Sequence, residues 1–184
     1  MDEEIRKTVE VLKKGGIILY PTDTIWGLGC DANNKKAVNK IFTLKKRTKN
    51  KALIILIAEY TNLYKLMTQV PPAAFNEMHH QQPTTIIFDH VNNLCKEIRA
   101  NNDSAAIRLV RDKFCEEIIF NLGNPIVSTS ANISGQENPI KFSEINNELI
   151  NSVDYVVNLR KDEIMDTPSR IIKMGVDGEI VKIR

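Results

Sequence analysis

The sequence predicts an α/β domain in which one twisted mixed sheet is flanked by helices and keeps an open basic concave face. Short apolar runs typical of buried strands are interspersed with patterns typical of helices. Two of these runs lead directly into polar stretches of small residues, and one helix ends in a cluster of cations. Because helices and strands do not alternate strictly and the last part is rich in strands, we expect a partly parallel sheet.

Length and composition bound the class of protein. The chain has 184 residues, 42% hydrophobic and 26% charged, which fits a single domain over 1–184 with an ordinary core. No apolar run approaches a membrane span and the acidic start has no apolar h-region, so we expect a cytoplasmic protein without membrane contact. Cys30, Cys95 and Cys115 have no zinc spacing, so we expect reduced structural thiols and no metal held by side chains. The net charge of +2 is too small to indicate nucleic acid by itself.

The first two predicted elements are a helix over 2–14 and a buried strand over 17–20. Ile5, Val9 and Leu12 share one face of the helix. The strand is a continuous apolar run.

A polar stretch at 21–32 follows that strand. Pro21 ends regular pairing because it has no N–H to donate. Two hydroxyls and a carboxylate at 22–24 then stand where open α/β sheets usually bind small molecules. Gly27 and Gly29 let the backbone turn or approach a ligand, although an ordinary turn has the same composition. The stretch lacks the third glycine of a dinucleotide fingerprint, and the chain has no Walker A sequence.

A second helix is predicted over 35–46, capped by Asn33 or Asn34, and it ends in a basic run. The cations of this run are Lys45, Lys46, Arg47, Lys49 and Lys51. They suit either a solvated helix end or a clamp for polyphosphate. The buried strand predicted at 52–57 favours the clamp, because it would hold the cluster in place.

The remaining elements are read from periodicity and caps. Helices are predicted at 61–69, 71–80, 113–122 and 143–151, and strands at 84–91, 105–111, before Ser128, and at 155–159, 169–174 and 179–184. Asp112 caps the third of these helices and Gly123 ends it, while Ser143 is expected to cap the fourth. His79 and His80 are adjacent, so they lack the spacing of a zinc pair and are read as surface residues.

A second polar stretch, at 128–135, follows the strand that ends before Ser128. Its four hydroxyls and the Asn132 amide are suited to phosphate oxygens or to an adenine edge. Taken alone, the stretch also suits a Ser-rich turn.

Taken together, three motifs resemble the Sua5/YciO/YrdC family, and most closely its short YrdC type. These motifs are the 20–29 stretch (YPTDTIWGLG), the Lys45-Lys46-Arg47 run with Lys51, and the 128–135 stretch (STSANISG). The resemblance covers about 13–172 and implies the YrdC-like form of the α/β fold. The Ser130-x-Asn132 element favours the synthase branch over the YciO branch.

This resemblance implies a threonylcarbamoyl-AMP synthase, which forms threonylcarbamoyl-adenylate and pyrophosphate from L-threonine, bicarbonate and ATP. The carbamate of threonine attacks the α-phosphate, so no protein nucleophile is needed. Mg²⁺ is expected to bridge the phosphate oxygens. The implied partners are the proteins of a threonylcarbamoyl transferase complex, with tRNA as a candidate contact.

The resemblance also implies residue roles. ATP would be bound by Lys45, Arg47, Lys51, Ser128, Ser130 and Asn132, and threonine by Thr24, Arg108 and Ser169. The chain departs from the family pattern at Trp26, Leu56, 81–83, 112–113 and Arg170. We expect Trp26 to keep an aromatic wall where the family usually has Tyr.

Two alternatives remain open at this point. One is a non-catalytic module that binds double-stranded RNA or tRNA on the basic face, although the chain lacks RRM and KH signatures. The other is a carbamoyl-transfer domain like those of hydrogenase maturation proteins.

Overall fold

The structure, a computed structural model, describes residues 1–46 and 53–184. Its helices are α1 (Asp2–Lys13), α2 (Lys35–Leu44), α3 (Leu63–Leu66), α4 (Ala73–Met78), α5 (Lys113–Leu122) and α6 (Asn147–Ser152). Its strands are β1 (Ile18–Tyr20), β2 (Gly27–Asp31), β3 (Ile54–Ile57), β4 (Thr84–Phe88), β5 (Ala105–Leu109), β6 (Ile126–Ser130), β7 (Tyr155–Val156), β8 (Arg170–Met174) and β9 (Ile180–Lys182). Short 3₁₀ turns lie at Tyr60–Asn62, Asn101–Asp103 and Phe142–Glu144.

The described strands form one mixed sheet in the order β7-β1-β2-β6-β3-β5-β4-β8-β9. The pairs β1–β7, β3–β5 and β4–β8 are parallel, and the other neighbouring strands are antiparallel. The expected twisted mixed sheet flanked by helices is therefore confirmed.

Neighbouring residues of β1, β3 and β6 pack into two different cores, because successive side chains of a strand point to opposite faces. Ile55 and Val127 join α2, α3 and α4 in the core on one face. Leu56 and Ile126 join α1 and α5 in a smaller core on the other face. The smaller core covers only one end of its face, and the remainder of that face carries the candidate site.

Local capping signals predicted the start of α2 and both ends of α5, whereas α2 ends at Leu44 and not at residue 46. The Asn34 side chain accepts a hydrogen bond from the Ala37 N–H at 3.1 Å. Asp112 does the same for the Cys115 N–H at 2.9 Å, and Gly123 ends α5 with a left-handed φ of 78°. These contacts confirm the expected caps.

Other boundaries were predicted wrongly. Gly27–Asp31 is strand β2 and not a turn. A Cβ at Gly29 would lie 2.7 Å from the Tyr20 ring, so glycine is needed here for the close approach of that ring. Strand β6 continues through Ser130, because it pairs with β2 along its whole length. Helix α6 starts at Asn147 and is capped by Asn146, because the segment around Ser143 forms a separate 3₁₀ turn.

Candidate functional site

A cavity of about 220 Å³ lies on the part of the sheet face that α1 and α5 leave uncovered. Alternate residues of the strands line it, including Ala106 and Arg108 of β5 and Thr85 and Ile87 of β4. The pairing of Thr85 with Arg108 and of Ile87 with Ala106 sets these side chains on one face. The register of distant strands therefore builds the site.

Arg108 is the main charged group of the cavity. Its side chain is 3% exposed, and its Nη2 donates to Asp23 Oδ1 at 3.0 Å. Its Nε has no hydrogen-bond partner among the described residues. Because Arg108 also lines the cavity, its guanidinium is suited to an anionic group of a ligand.

Asp23 holds the Arg108 guanidinium, a contact that the sequence did not reveal. Its Oδ1 accepts a hydrogen bond from Arg108 in an ion pair. Its Oδ2 accepts a longer hydrogen bond from the Arg111 N–H, at 3.4 Å. Asp23 belongs to the 20–29 motif, but Arg108 lies 85 residues further along the chain, so the motif did not reveal the ion pair.

Thr22 and Thr24 form a hydroxyl pair at the end of β1. Their Oγ1 atoms are 2.9 Å apart, and the Thr22 hydroxyl donates to the Ile25 carbonyl at 2.8 Å. Since Thr22 has only one hydroxyl proton, Thr24 must donate to Thr22. The Thr24 oxygen, which lines the cavity, therefore keeps a lone pair for a donor such as an amine.

Ser169 and Thr85 form a second hydroxyl pair across β4 and β8. Their side-chain oxygens are 2.8 Å apart, and both residues line the cavity. Arg184 also lines it and donates through Nη2 to the Ser169 carbonyl at 2.9 Å. Sequence reasoning missed Thr85 and Arg184, because only the pairing of β4, β8 and β9 brings them here.

Ser128 and Ser130 of β6 lie on the cavity wall opposite the glycines of β2. Gly27 pairs with Ser130, so no side chain of β2 fills the space beside this serine, whereas the Tyr20 ring packs over Gly29, which pairs with Ser128.

Lys45 and Asn132 are not among the residues that line the cavity, although they contact its wall. Lys45 is 1% exposed, and its Nζ donates to Asn132 Oδ1 at 3.0 Å. Asn132 Oδ1 also accepts from the Ser130 hydroxyl at 2.6 Å. The other two predicted ATP ligands, Arg47 and Lys51, lie outside the described residues.

Three of the positions that depart from the family pattern lie in different parts of the structure. Trp26 borders the cavity, but its ring is fully buried in the core on the opposite face of the sheet, 5.1 Å from the Phe142 ring, so it does not form the expected aromatic wall. Its Nε1 has no hydrogen-bond partner among the described residues. Leu56 lies in the core under α1 and α5. Arg170 pairs with Glu77 of α4, on the sheet face opposite to its cavity-lining neighbour Ile171.

The buried thiol nearest to this region is not activated. Burial raises the pKa of Cys115 well above its ordinary value, so it stays protonated at neutral pH. Burial likewise raises the pKa of Tyr20, whose ring lies over Gly29. Across 1–46 and 53–184, no three His, Cys, Asp or Glu side chains form a group that could hold a metal ion. Within the same ranges, the polar side chains that line the cavity are hydroxyls, the Asn138 amide and two arginines.

None of the helices in the described part of the chain has the length and apolar character needed to cross a membrane.

Comparison with known proteins places this geometry in a family. Residues 10–184 match the Sua5/yciO/yrdC family model, which is described as "Telomere recombination". The chain belongs to this family.

Two curated relatives illustrate the match. The chain is 28% identical to a protein of Pseudoalteromonas translucida named threonylcarbamoyl-AMP synthase, over 97% of this chain and 96% of that protein. It is 34% identical to a protein of Methanocaldococcus jannaschii named putative threonylcarbamoyl-AMP synthase, over 100% of this chain and 87% of the other.

Solved structures share the fold. Escherichia coli YciO superposes with a TM-score of 0.86 at 23% identity, over 100% of this chain and 89% of the other. Pyrococcus abyssi Sua5 complexed with L-threonine gives a TM-score of 0.82 at 24% identity, over 95% of this chain. The match spans 52% of that Sua5 chain, about half its length.

Proposed function

We propose that the chain is a threonylcarbamoyl-AMP synthase, which joins L-threonine, bicarbonate and ATP into threonylcarbamoyl-adenylate and pyrophosphate. The observation that carries the proposal is the buried Arg108 guanidinium, which Asp23 holds in a cavity bordered by hydroxyl residues. The names of relatives that match over most of their length support it.

The threonine end of the substrate is assigned to Arg108, Thr24 and Ser169. The Arg108 guanidinium, held by Asp23, would donate to the substrate carboxylate. The Thr24 oxygen would accept from the amine, and the Ser169 hydroxyl, which lines the same cavity, would contact the threonine. The threonine complex of the P. abyssi protein is in keeping with this choice of substrate.

The nucleotide end is assigned to the wall formed by β6. Ser128 and Ser130 would contact ATP, with Asn132 and Lys45 behind them. Arg47 and Lys51 would hold the triphosphate. Arg184 adds a second guanidinium to the cavity. Since hydroxyls, one amide and two arginines of the described residues line the cavity, with no carboxylate among them, Mg²⁺ would arrive bound to the triphosphate and neutralise part of its charge.

The chemistry requires positioning and charge stabilisation. The threonine amine forms a C–N bond with the bicarbonate carbon as one C–O bond breaks, and water leaves with the amine proton, which gives the carbamate. A carbamate oxygen then bonds to the α-phosphorus as the bond to the β-phosphate oxygen breaks, and pyrophosphate leaves with that electron pair. Fixed cations and hydroxyl donors lower the barrier by orienting the reactants and by meeting the developing charge. The protonated state of Cys115 agrees with a mechanism that uses no protein nucleophile.

The proposal extends to the proteins that receive the product, to the cell compartment and to the domain bounds. The product would pass to the proteins of a threonylcarbamoyl transferase complex, which modify tRNA. We place the chain in the cytoplasm and treat 1–184 as one YrdC-like domain, which the continuity of the sheet from β7 to β9 supports.

The test is pyrophosphate release from ATP and bicarbonate, with and without L-threonine. We expect release that depends on threonine. Salt-sensitive tRNA binding without any release would instead support the RNA-binding alternative.

A further inference from the structure

Lys45 is a buried lysine at the C-terminal end of α2. Although it belongs to a basic cluster, it is only 1% exposed. Its Nζ donates to the carbonyl oxygens of Ser130 and Asn132, at 2.5 and 2.7 Å, and to Asn132 Oδ1 at 3.0 Å. Among the described residues, these three oxygens accept hydrogen bonds from the ammonium group.

The same turn is tied to Lys45 by its main chain. The Ser134 N–H donates to the Lys45 carbonyl at 3.0 Å. Within the turn, Asn132 Oδ1 accepts from the Ser130 hydroxyl at 2.6 Å, and Asn132 Nδ2 donates to the Gln136 carbonyl at 2.6 Å. The turn at 130–136 therefore contacts Lys45 twice, through the ammonium group and through the main-chain carbonyl of that residue.

We propose that Lys45 is a positioning residue and not a phosphate ligand. Its ammonium fixes the turn at 130–136, and thereby holds Ser130 in one geometry at the cavity wall. To reach a phosphate, the ammonium would have to leave a buried position and give up charge-assisted hydrogen bonds. The nucleotide part of this inference rests on the proposed function, whereas the contact between Lys45 and the turn does not.

The first test uses the wild-type chain. Each lysine is assayed for acetylation by acetic anhydride, with mass spectrometry as the readout, in the absence and presence of ATP. We expect Lys45 to react slowly in both states, while the exposed neighbour Lys46 reacts readily. Fast acetylation of Lys45 in the absence of ATP, and protection of Lys45 when ATP is added, would overturn the proposal.

The second test compares Lys45→Met with Lys46→Met, which removes one cation from the same cluster. In Lys45→Met, we expect amide exchange at 130–136 in the free protein to accelerate and KM for ATP to rise, each on the order of tenfold. Lys46→Met should stay within about twofold of wild type for both. Lys45→Arg should not rescue the loss, because a planar guanidinium cannot match acceptors arranged for an ammonium.

A double variant separates positioning from direct contact. Because Lys45 would act through the turn, Lys45→Met combined with Asn132→Ala should raise KM for ATP no more than the worse single variant. If the increases in KM of the two single variants multiply in the double variant, Lys45 contacts the nucleotide independently of the turn, and the proposal is overturned. If Lys45→Met does not fold, Asn132→Ala alone decides, since the proposal expects its loss to increase acetylation of Lys45.

The proposed function and the positioning role of Lys45 are refuted by different results. A wild-type chain that releases no pyrophosphate refutes the proposed function. Normal wild-type turnover, with unchanged KM and unchanged exchange at 130–136 in Lys45→Met, refutes only the positioning role.

Discussion

The ion pair between Asp23 and Arg108 gives a sharp prediction about stability. Both side chains are buried, at 9% and 3% exposure, and their charged atoms are 3.0 Å apart. Asp23→Ala leaves the guanidinium buried without its carboxylate. Removing one partner of such a pair typically costs about 3–5 kcal/mol, so we expect the free energy of unfolding to fall by roughly that amount.

The assay is denaturant unfolding of a double-mutant cycle. Asp23→Ala combined with Arg108→Met should be less destabilised than the sum of the two single variants, because neither charge is then left alone. The matched control is Glu117→Ala, which breaks the more exposed pair with Lys113 and should cost less than about 1 kcal/mol. Additive single effects, or an Asp23→Ala loss no greater than that of the control, would refute the reasoning.

Three further predictions concern binding, thiol reactivity and pH. Arg108→Lys should raise KM for threonine by on the order of tenfold or more in steady-state kinetics, because an ammonium lacks the planar fork; an unchanged KM would argue against the carboxylate contact. Alkylation of the native protein should modify the half-buried Cys95 before the buried Cys30 and Cys115, and mass spectrometry that finds the reverse order would contradict this burial. Burial and the nearby Glu4 carboxylate raise the pKa of Tyr155 to about 12, above an unfolded value of about 10. Its contribution to stability should therefore be complete below pH about 10 and lost as the pH rises through about 12, so the free energy of unfolding of wild type should fall relative to that of Tyr155→Phe across that window.

Elements with local signals could be predicted from the sequence. Asp112 and Gly123 fix both ends of α5 through contacts within a few residues of each end. The apolar runs predicted β1 and β3 for the same reason. Strand β2 was missed because its glycines have little intrinsic preference for a strand, and it forms through pairing with β1 and β6.

The site could be predicted only in part. Thr24, Arg108, Ser128, Ser130 and Ser169 do line one cavity, and their assignment to ATP or threonine stays a prediction.

Other features of the site depend on pairing between distant parts of the chain. The contact of Asp23 with Arg108, and of Thr85 with Ser169, each spans more than eighty residues. The burial of Lys45 likewise depends on a turn far along the chain, so the local cluster of cations could not reveal it.

The central claim is that this cavity joins threonine, bicarbonate and the AMP part of ATP. The most direct measurement is mass spectrometry of the products formed with ¹³C-labelled bicarbonate. We expect threonylcarbamoyl-adenylate that carries the labelled carbon and appears together with pyrophosphate. ATP consumption without a labelled adenylate, or no consumption in the presence of all three substrates, would contradict the claim.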